Sequence, residues 1–119
     1  WIGQIAEETA KAHGGTCEVR IERGYPFVHN DEALTERART AAEAYLGAEN
    51  VVDLEMRATG EDFSYYSQVM PGSFHRLGVR NEAKGIIHPV HSPHFDVDEA
   101  CLRLGAVLMA WLAVNEMKG

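Results

Sequence analysis

Asp96-Val97-Asp98-Glu99-Ala100-Cys101-Leu102-Arg103-Leu104-Gly105-Ala106-Val107-Leu108-Met109-Ala110-Trp111-Leu112 is the stretch on which the fold turns. Its helical pattern runs from about 97 to 116, with Asp96 and Glu99 at the spacing of a capping box. Val97, Cys101, Leu104, Val107, Leu108, Trp111 and Leu112 cover so much of the circumference that the helix must be nearly engulfed. A helix of that kind belongs inside a layered domain, and the segments before it supply the layers. Phe74 to Val79 reads as a strand, and so does the short run Val51 to Met56. Between them, Glu61 to about Val69 reads as a short helix stopped by Pro71-Gly72. A longer helix, capped by Asn30 or Asp31 and stopped by Gly47, buries Leu34, Ala38, Ala41, Ala42, Tyr45 and Leu46. Its Glu32, Glu36, Arg37, Arg39 and Glu43 form the solvated side.

Further out, residues 16–23 alternate strictly. Cys17, Val19 and Ile21 point one way and Glu18, Arg20 and Glu22 the other, which predicts a strand with one wet face. Before it, Ile2, Ile5, Ala6, Thr9 and Ala12 recur at helical spacing until Gly14-Gly15. Helix then one-faced strand suggests the tail of a small α+β unit. Gly24-Tyr25-Pro26 ends it, so a domain boundary is expected near 25–30. From there on, alternating strand and helix predicts an α/β layered domain. The helix that starts uncapped at Trp1 reads as one cut from a longer chain.

The chain has 119 residues and a formal charge of −7, which argues against a nucleic-acid or anionic-membrane surface, since either needs a basic stripe. No apolar run approaches the roughly 20 residues of a membrane helix. Cys17 and Cys101 are far apart and make no disulfide framework; they read as small buried residues of a cytoplasmic type of protein.

Two constellations could carry chemistry. In His88-Pro89-Val90-His91-Ser92-Pro93-His94 the prolines keep His88 and Ser92 out of helical conformation, so the histidines are not a helical ligand pair. They sit on extended backbone, where one imidazole can project into a site as a metal ligand or acid–base group. A merely histidine-rich surface loop fits the same residues. In Thr59-Gly60-Glu61-Asp62-Phe63-Ser64 a strand passes into a helix start. A glycine there permits close backbone approach, and a helix N-terminus can cradle a substrate carboxylate. Glu61 and Asp62 equally suit the first turn of any helix. His75, in phase with Leu77 and Val79, reads as a partly buried structural imidazole. His13, His29 and the solvated Glu7-Glu8 receive no role.

Taken in order, Arg23-Gly-Tyr-Pro-Phe-Val-His-Asn-Asp31, Thr59-Gly-Glu-Asp-Phe-Ser-Tyr-Tyr66, Pro71-Gly-Ser-Phe-His-Arg-Leu-Gly78 and His91-Ser-Pro-His-Phe-Asp-Val-Asp-Glu-Ala100 resemble the C-terminal part of the metal-dependent amidohydrolases. That group comprises hippurate hydrolases, N-acyl-amino-acid amidohydrolases and auxin-conjugate hydrolases, akin to aminoacylase and carboxypeptidase G. The resemblance covers essentially the whole chain, with its four motifs in family order and spacing. It implies the C-terminal half of a layered α/β/α catalytic domain, residues 28–119, preceded at 1–27 by the last helix and strand of a ferredoxin-like lid that often mediates dimers. It implies two divalent metals, zinc first, with manganese, cobalt or nickel as alternatives. The position of the family's metal-ligating histidine is His91, and Gly60 with Glu61 falls beside the substrate pocket. The His-x-Asp motif, the Glu-Glu pair with the general base and the remaining ligand belong to the family's N-terminal half, and Glu7-Glu8 is not that pair. No catalytic residue is therefore expected here. Thr59 stands where a glycine is common, and Phe27-Val28-His29 where Pro-Thr-Val is usual; these departures bear on subfamily.

The implied reaction is hydrolysis of the amide bond of an N-acyl amino acid or short peptide-like substrate by metal-activated water. The glutamate outside this chain would move the proton. The intact protein would take a small-molecule substrate, with a homodimer open to it, while this chain alone would be inert and marginally stable. Two other readings stand beside this one. In the first, His88, His91 and His94 form a self-contained zinc site, which requires the loop to fold back sharply. In the second, the chain is a non-catalytic α/β interaction module docking through residues 1–23.

Overall fold

The computed structural model describes residues 1–57 and 59–118. Among them are four α-helices, α1 (Ile2–Ala12), α2 (Glu32–Leu46), the single-turn α3 (Ser64–Ser67) and α4 (Ala100–Glu116), with short 3-10 turns at Ala48–Asn50 and Glu82–Lys84. No helix among the described residues is long and apolar enough to cross a membrane.

Helix α2 begins where Asp31 accepts a hydrogen bond from the Leu34 N–H at 2.8 Å, so Asp31 is the cap and Asn30 is free for another task. It ends at Gly47, whose φ of 88° is open to glycine at little cost. Helix α4 packs on α2. The Trp111 indole N–H donates to the Ala41 carbonyl at 2.7 Å, its ring lies 6.1 Å from that of Tyr45, and Arg37 grips Glu116 through two bonds of 3.0 and 2.6 Å. Leu108, 4% exposed, is the best-buried apolar side chain of the pair. Arg39 and Glu43 are not fully solvated as expected: both are half-buried, and Arg39 pairs with Asp53 and, at 3.9 Å, with Glu43.

One segment, residues 72–77, lies against this helix pair. Residues 72–74 are strapped to the start of α2 by Asp31 N–H to Gly72 O at 2.9 Å, by Thr35 to Ser73 at 3.1 Å, and by Asn30, whose side chain makes a two-way clamp on Phe74. Further along, Leu77 crosses α4 at Gly105, where a Cβ would stand 2.8 Å from Leu77 Cδ2. The glycine is what lets the segment come that close.

The expected α/β character does not show among the described residues. Residues 16–23, 51–56 and 74–79 are extended but form no strands, and the one isolated β-bridge among the described residues joins Asn81 and Ile86. A strand exists only through the N–H and C=O groups of a neighbour, and no described segment supplies one. Other expectations fall for the same reason. Cys17 and His75 are exposed rather than buried, and Val19 is half-covered only by touching α1 near Gly3. Helix α4 is covered on one side, through Cys101 and Leu108, while Leu102, Val107 and Met109 stay exposed. Among the described residues helix α1 packs on no other helix, and Trp1, Ile2 and Ile5 are exposed, Trp1 to 99%. The Cα radius of gyration is 20.7 Å, against about 13.5 Å for a compact domain of this length.

Two helices also start later than their patterns suggest. The expected 61–69 helix contracts to α3, and α4 starts at Ala100 rather than 97. Asp96 does not cap α4: its carboxylate accepts from the adjacent Val97 N–H at 2.8 Å, while Asp98 accepts from Ala100 N–H at 3.2 Å.

Candidate functional site

The Gly60 segment is organised by aromatic packing and by a short turn. Phe63 packs on Phe74 and Tyr66, at ring separations of 5.4 and 6.1 Å, and Gly72 gives it room. The wholly buried Ser64 donates its hydroxyl to the Glu61 carbonyl, which also accepts from the Ser64 N–H at 3.1 Å. The Glu61 carboxylate turns inward and accepts from the Phe63 N–H at 3.3 Å. Gly60 meets the face of Tyr25: a Cβ there would lie 3.2 Å from Tyr25 Cδ2, and Tyr25 in turn packs edge-on to Tyr65 at 5.8 Å. The close approach that calls for glycine is thus made, within this chain, by a tyrosine of residues 25–30. Among the described residues the Gly60 N–H has no hydrogen-bond partner.

Helix α3 does not supply the dipole that the sequence suggested. It has four residues and starts three positions after Glu61, and its leading N–H groups are taken by Glu61 and Asp62 carbonyls at 3.1 Å. A macrodipole needs aligned peptides over several turns. Any polar contact to a substrate here falls to the Gly60 backbone and not to a helix end.

The histidine loop is built from consecutive turns. Ser92 N–H donates to Pro89 O at 3.2 Å, Phe95 N–H to Ser92 O at 3.0 Å, and His94 N–H to Ser92 Oγ at 3.1 Å. His91, between them, has φ 72°, and among the described residues it is the one non-glycine residue in left-handed backbone. It is exposed, and neither ring nitrogen has a hydrogen-bond partner among the described residues. His88 and His94 face each other instead, with ring centroids 5.3 Å apart. Among the described residues no three His, Cys, Asp or Glu side chains converge on a common point. The three histidines therefore do not form the self-contained zinc centre of the rival reading; two pair, and His91 stands alone.

The loop's base carries the strongest electrostatic feature of the region, one that sequence reading did not single out. Asp98 accepts from Lys84 Nζ at 2.6 Å and from Asn81 Nδ2 at 2.5 Å. The bond from the Lys84 ammonium, then that from Asn81, then that from the Ala100 N–H, hold its carboxyl at about 2, well below the usual carboxylate range. Lys84 is raised by the same contact. Partners 14 and 17 positions away leave no periodic trace in the sequence. At the far end of the helix pair, Arg37 and Glu116 stabilise one another's charged forms in the same way. The two hollows flanking α2 and α4 are lined by residues such as Leu34, Leu46, Phe74 and Leu112, and by none of Gly60, Glu61 and His91. No hydrogen bond or ion pair among the described residues joins His91 to the Gly60 segment.

With this geometry in hand, known proteins with similar sequences define the setting. A thermostable carboxypeptidase 1 of Saccharolobus solfataricus is 38% identical over 116 residues, 97% of this chain and 29% of that protein. The putative amidohydrolase YhaA of Bacillus subtilis is 32% identical over 114 residues, 96% and 29% respectively. The IAA-amino acid hydrolase ILR1-like 4 of Arabidopsis thaliana is 38% identical over 91 residues, 76% of this chain and 21% of that protein. The chain thus spans less than a third of the length of these curated relatives. Residues 1–114 match the description common to peptidases of one group, and on that match the chain belongs to peptidase family M20/M25/M40.

Proposed function

We propose that this chain is the closing portion of a two-metal amidohydrolase that cleaves the amide bond of N-acyl amino acids or short peptide-like substrates. In this reading residues 28–119 complete an α/β/α catalytic domain, and residues 1–27 are the end of a lid through which the intact protein can dimerise. The extended segments 51–56 and 74–79 are then strands whose neighbours come from the rest of the protein. The relatives' names, carboxypeptidase, amidohydrolase and IAA-amino acid hydrolase, support amide hydrolysis at an amino-acid conjugate.

The observation that carries the reading is the presentation of His91. Left-handed backbone in a non-glycine residue is uncommon and points to a constraint on where its side chain goes. An exposed imidazole with both nitrogens free among the described residues fits one ligand of a metal centre. It does not fit a whole centre, because a zinc site needs three or four protein ligands. His91 would be this chain's one ligand, with the others and the general base contributed from outside it. When bound, the metals (zinc, or manganese, cobalt or nickel) polarise the amide carbonyl and lower the pKa of water. Gly60 would offer its N–H to the substrate carboxylate, and Glu61, turned inward onto Phe63, would hold that backbone in place.

The test is hydrolysis of a hippurate-type substrate by the full-length protein before chelation, after chelation and after zinc is restored. Loss and recovery of turnover are expected. Turnover indifferent to a chelator that strips the bound metal would contradict the proposal.

A further inference from the structure

We propose that Asp98 is a positioning residue for His91, fixing the neck of the loop that presents the imidazole; the inference rests on the reading of His91 as a metal ligand. The loop leaves the helix pair after Val79 and returns to it at Asp98, and both ends meet there. The Asp98 N–H donates to Val79 O at 3.0 Å. Its carboxylate reaches across to Asn81 at 2.5 Å and to Lys84 at 2.6 Å. These two residues belong to the outgoing limb, which is itself tied into a tight turn by the paired 2.9 Å bonds of Asn81 and Ile86. The Asn81 side-chain oxygen caps that turn by accepting from the Lys84 N–H at 3.2 Å.

A plain helix-capping role does not account for this arrangement. The bond from Asp98 to the start of α4, at 3.2 Å to Ala100 N–H, is the longest of its carboxylate's three. The two shorter ones go to the other limb of the loop. The Asp98 side chain is only 14% exposed while Lys84 is largely exposed, so the pair is a partly shielded clasp and not a mobile surface contact. Between the clasped ends lie the turns at 89–92 and 92–95 and the facing rings of His88 and His94. With the neck fixed and the interior folded into consecutive turns, His91 at the tip has little freedom to move. Groups hydrogen-bonded directly to a metal ligand change metal affinity by about 10- to 100-fold when removed, and Asp98, acting through the loop, belongs at or below the lower end of that range.

The experiment is zinc affinity of the full-length protein, measured by chelator competition, with KM and melting temperature recorded on the same samples. Asp98→Ala should weaken zinc binding severalfold, up to about tenfold, while KM moves less than about twofold. Asp98→Asn, which keeps an acceptor for Asn81 and Ala100, should recover part of the loss. Lys84→Met should act in the same direction, more weakly, and add little to Asp98→Ala, because both break one clasp. A folded Asp98→Ala with wild-type zinc affinity overturns the proposal even if it melts earlier. Should Asp98→Ala fail to fold, Lys84→Met decides, and unchanged affinity in that variant overturns it. His91→Ala runs alongside: retention of both metals there defeats the ligand reading itself, whereas loss of one metal there with none weakened at Asp98 defeats only the positioning role.

Discussion

Asp98 and Gly60 carry their consequences at the scale of single residues. The Asp98 carboxyl is held at about 2 by Lys84 first and Asn81 second, below the ordinary 3.8. A carboxyl depressed in the folded state stabilises it fully above the unfolded value and loses that contribution as pH falls through the folded one. Acid unfolding of the protein should therefore steepen between about pH 4 and pH 2, and Asp98→Asn should flatten that part of the profile. Superimposable profiles would mean that the clasp does not form. At Gly60 the observed neighbour is the Tyr25 ring, 3.2 Å from where a Cβ would stand, and the proposed one is the substrate. Gly60→Ala should raise KM, and adding Tyr25→Ala separates the causes: a KM that stays high assigns the glycine to substrate, one that returns to normal assigns it to packing. The role proposed for Gly60 comes from the sequence, from a glycine placed between an expected strand and a helix start. Tyr25 as the group that faces it was not visible there, because the two lie 35 positions apart.

At the scale of elements, the helices obey local rules and the would-be strands do not. Asp31 and Gly47 bound α2 where sequence alone put its ends, since a cap and a stop act within one turn. The 16–23, 51–56 and 74–79 segments have the alternation or apolar run of strands and remain unpaired, because pairing is a property of two segments and the sequence displays one. Helix α3 came out short for a related reason: Glu61 and Ser64 satisfy each other locally and use up the groups that a longer helix would need. The α2–α4 contact is the firmest packing in the chain, and Leu108 sits in it. Leu108→Ala should cost about 2–5 kcal/mol, read as a shift in denaturant midpoint, whereas Leu102→Ala on the exposed side should cost far less in this chain. Equal losses at both positions would mean that α4 is covered all round in solution.

At the scale of the molecule, the apolar circumference of α4 and the open dimensions of 63 × 40 × 20 Å tell one story. Trp1, Ile2, Leu102, Val107 and Met109 present apolar surface that water disfavours, and such patches promote association. The 119-residue chain by itself should scatter light as an associating species and show no metal-dependent turnover of a hippurate-type substrate. A monodisperse and active sample would require the remaining ligands and the general base to lie within these residues. The family was legible in four short motifs read in order, while the left-handed backbone of His91 and the contacts at the neck of its loop were not, since both depend on how distant residues meet. The most direct test of the central claim is the metal content of the full-length protein with His91→Gly, a change suited to the left-handed backbone at φ 72° and so expected to shift stability by no more than about 1 kcal/mol. Two metal ions per full-length wild-type protein, one in the variant, and loss of nearly all hydrolysis while the fold survives are expected; two ions retained at wild-type affinity in a folded variant would contradict the ligand role of His91.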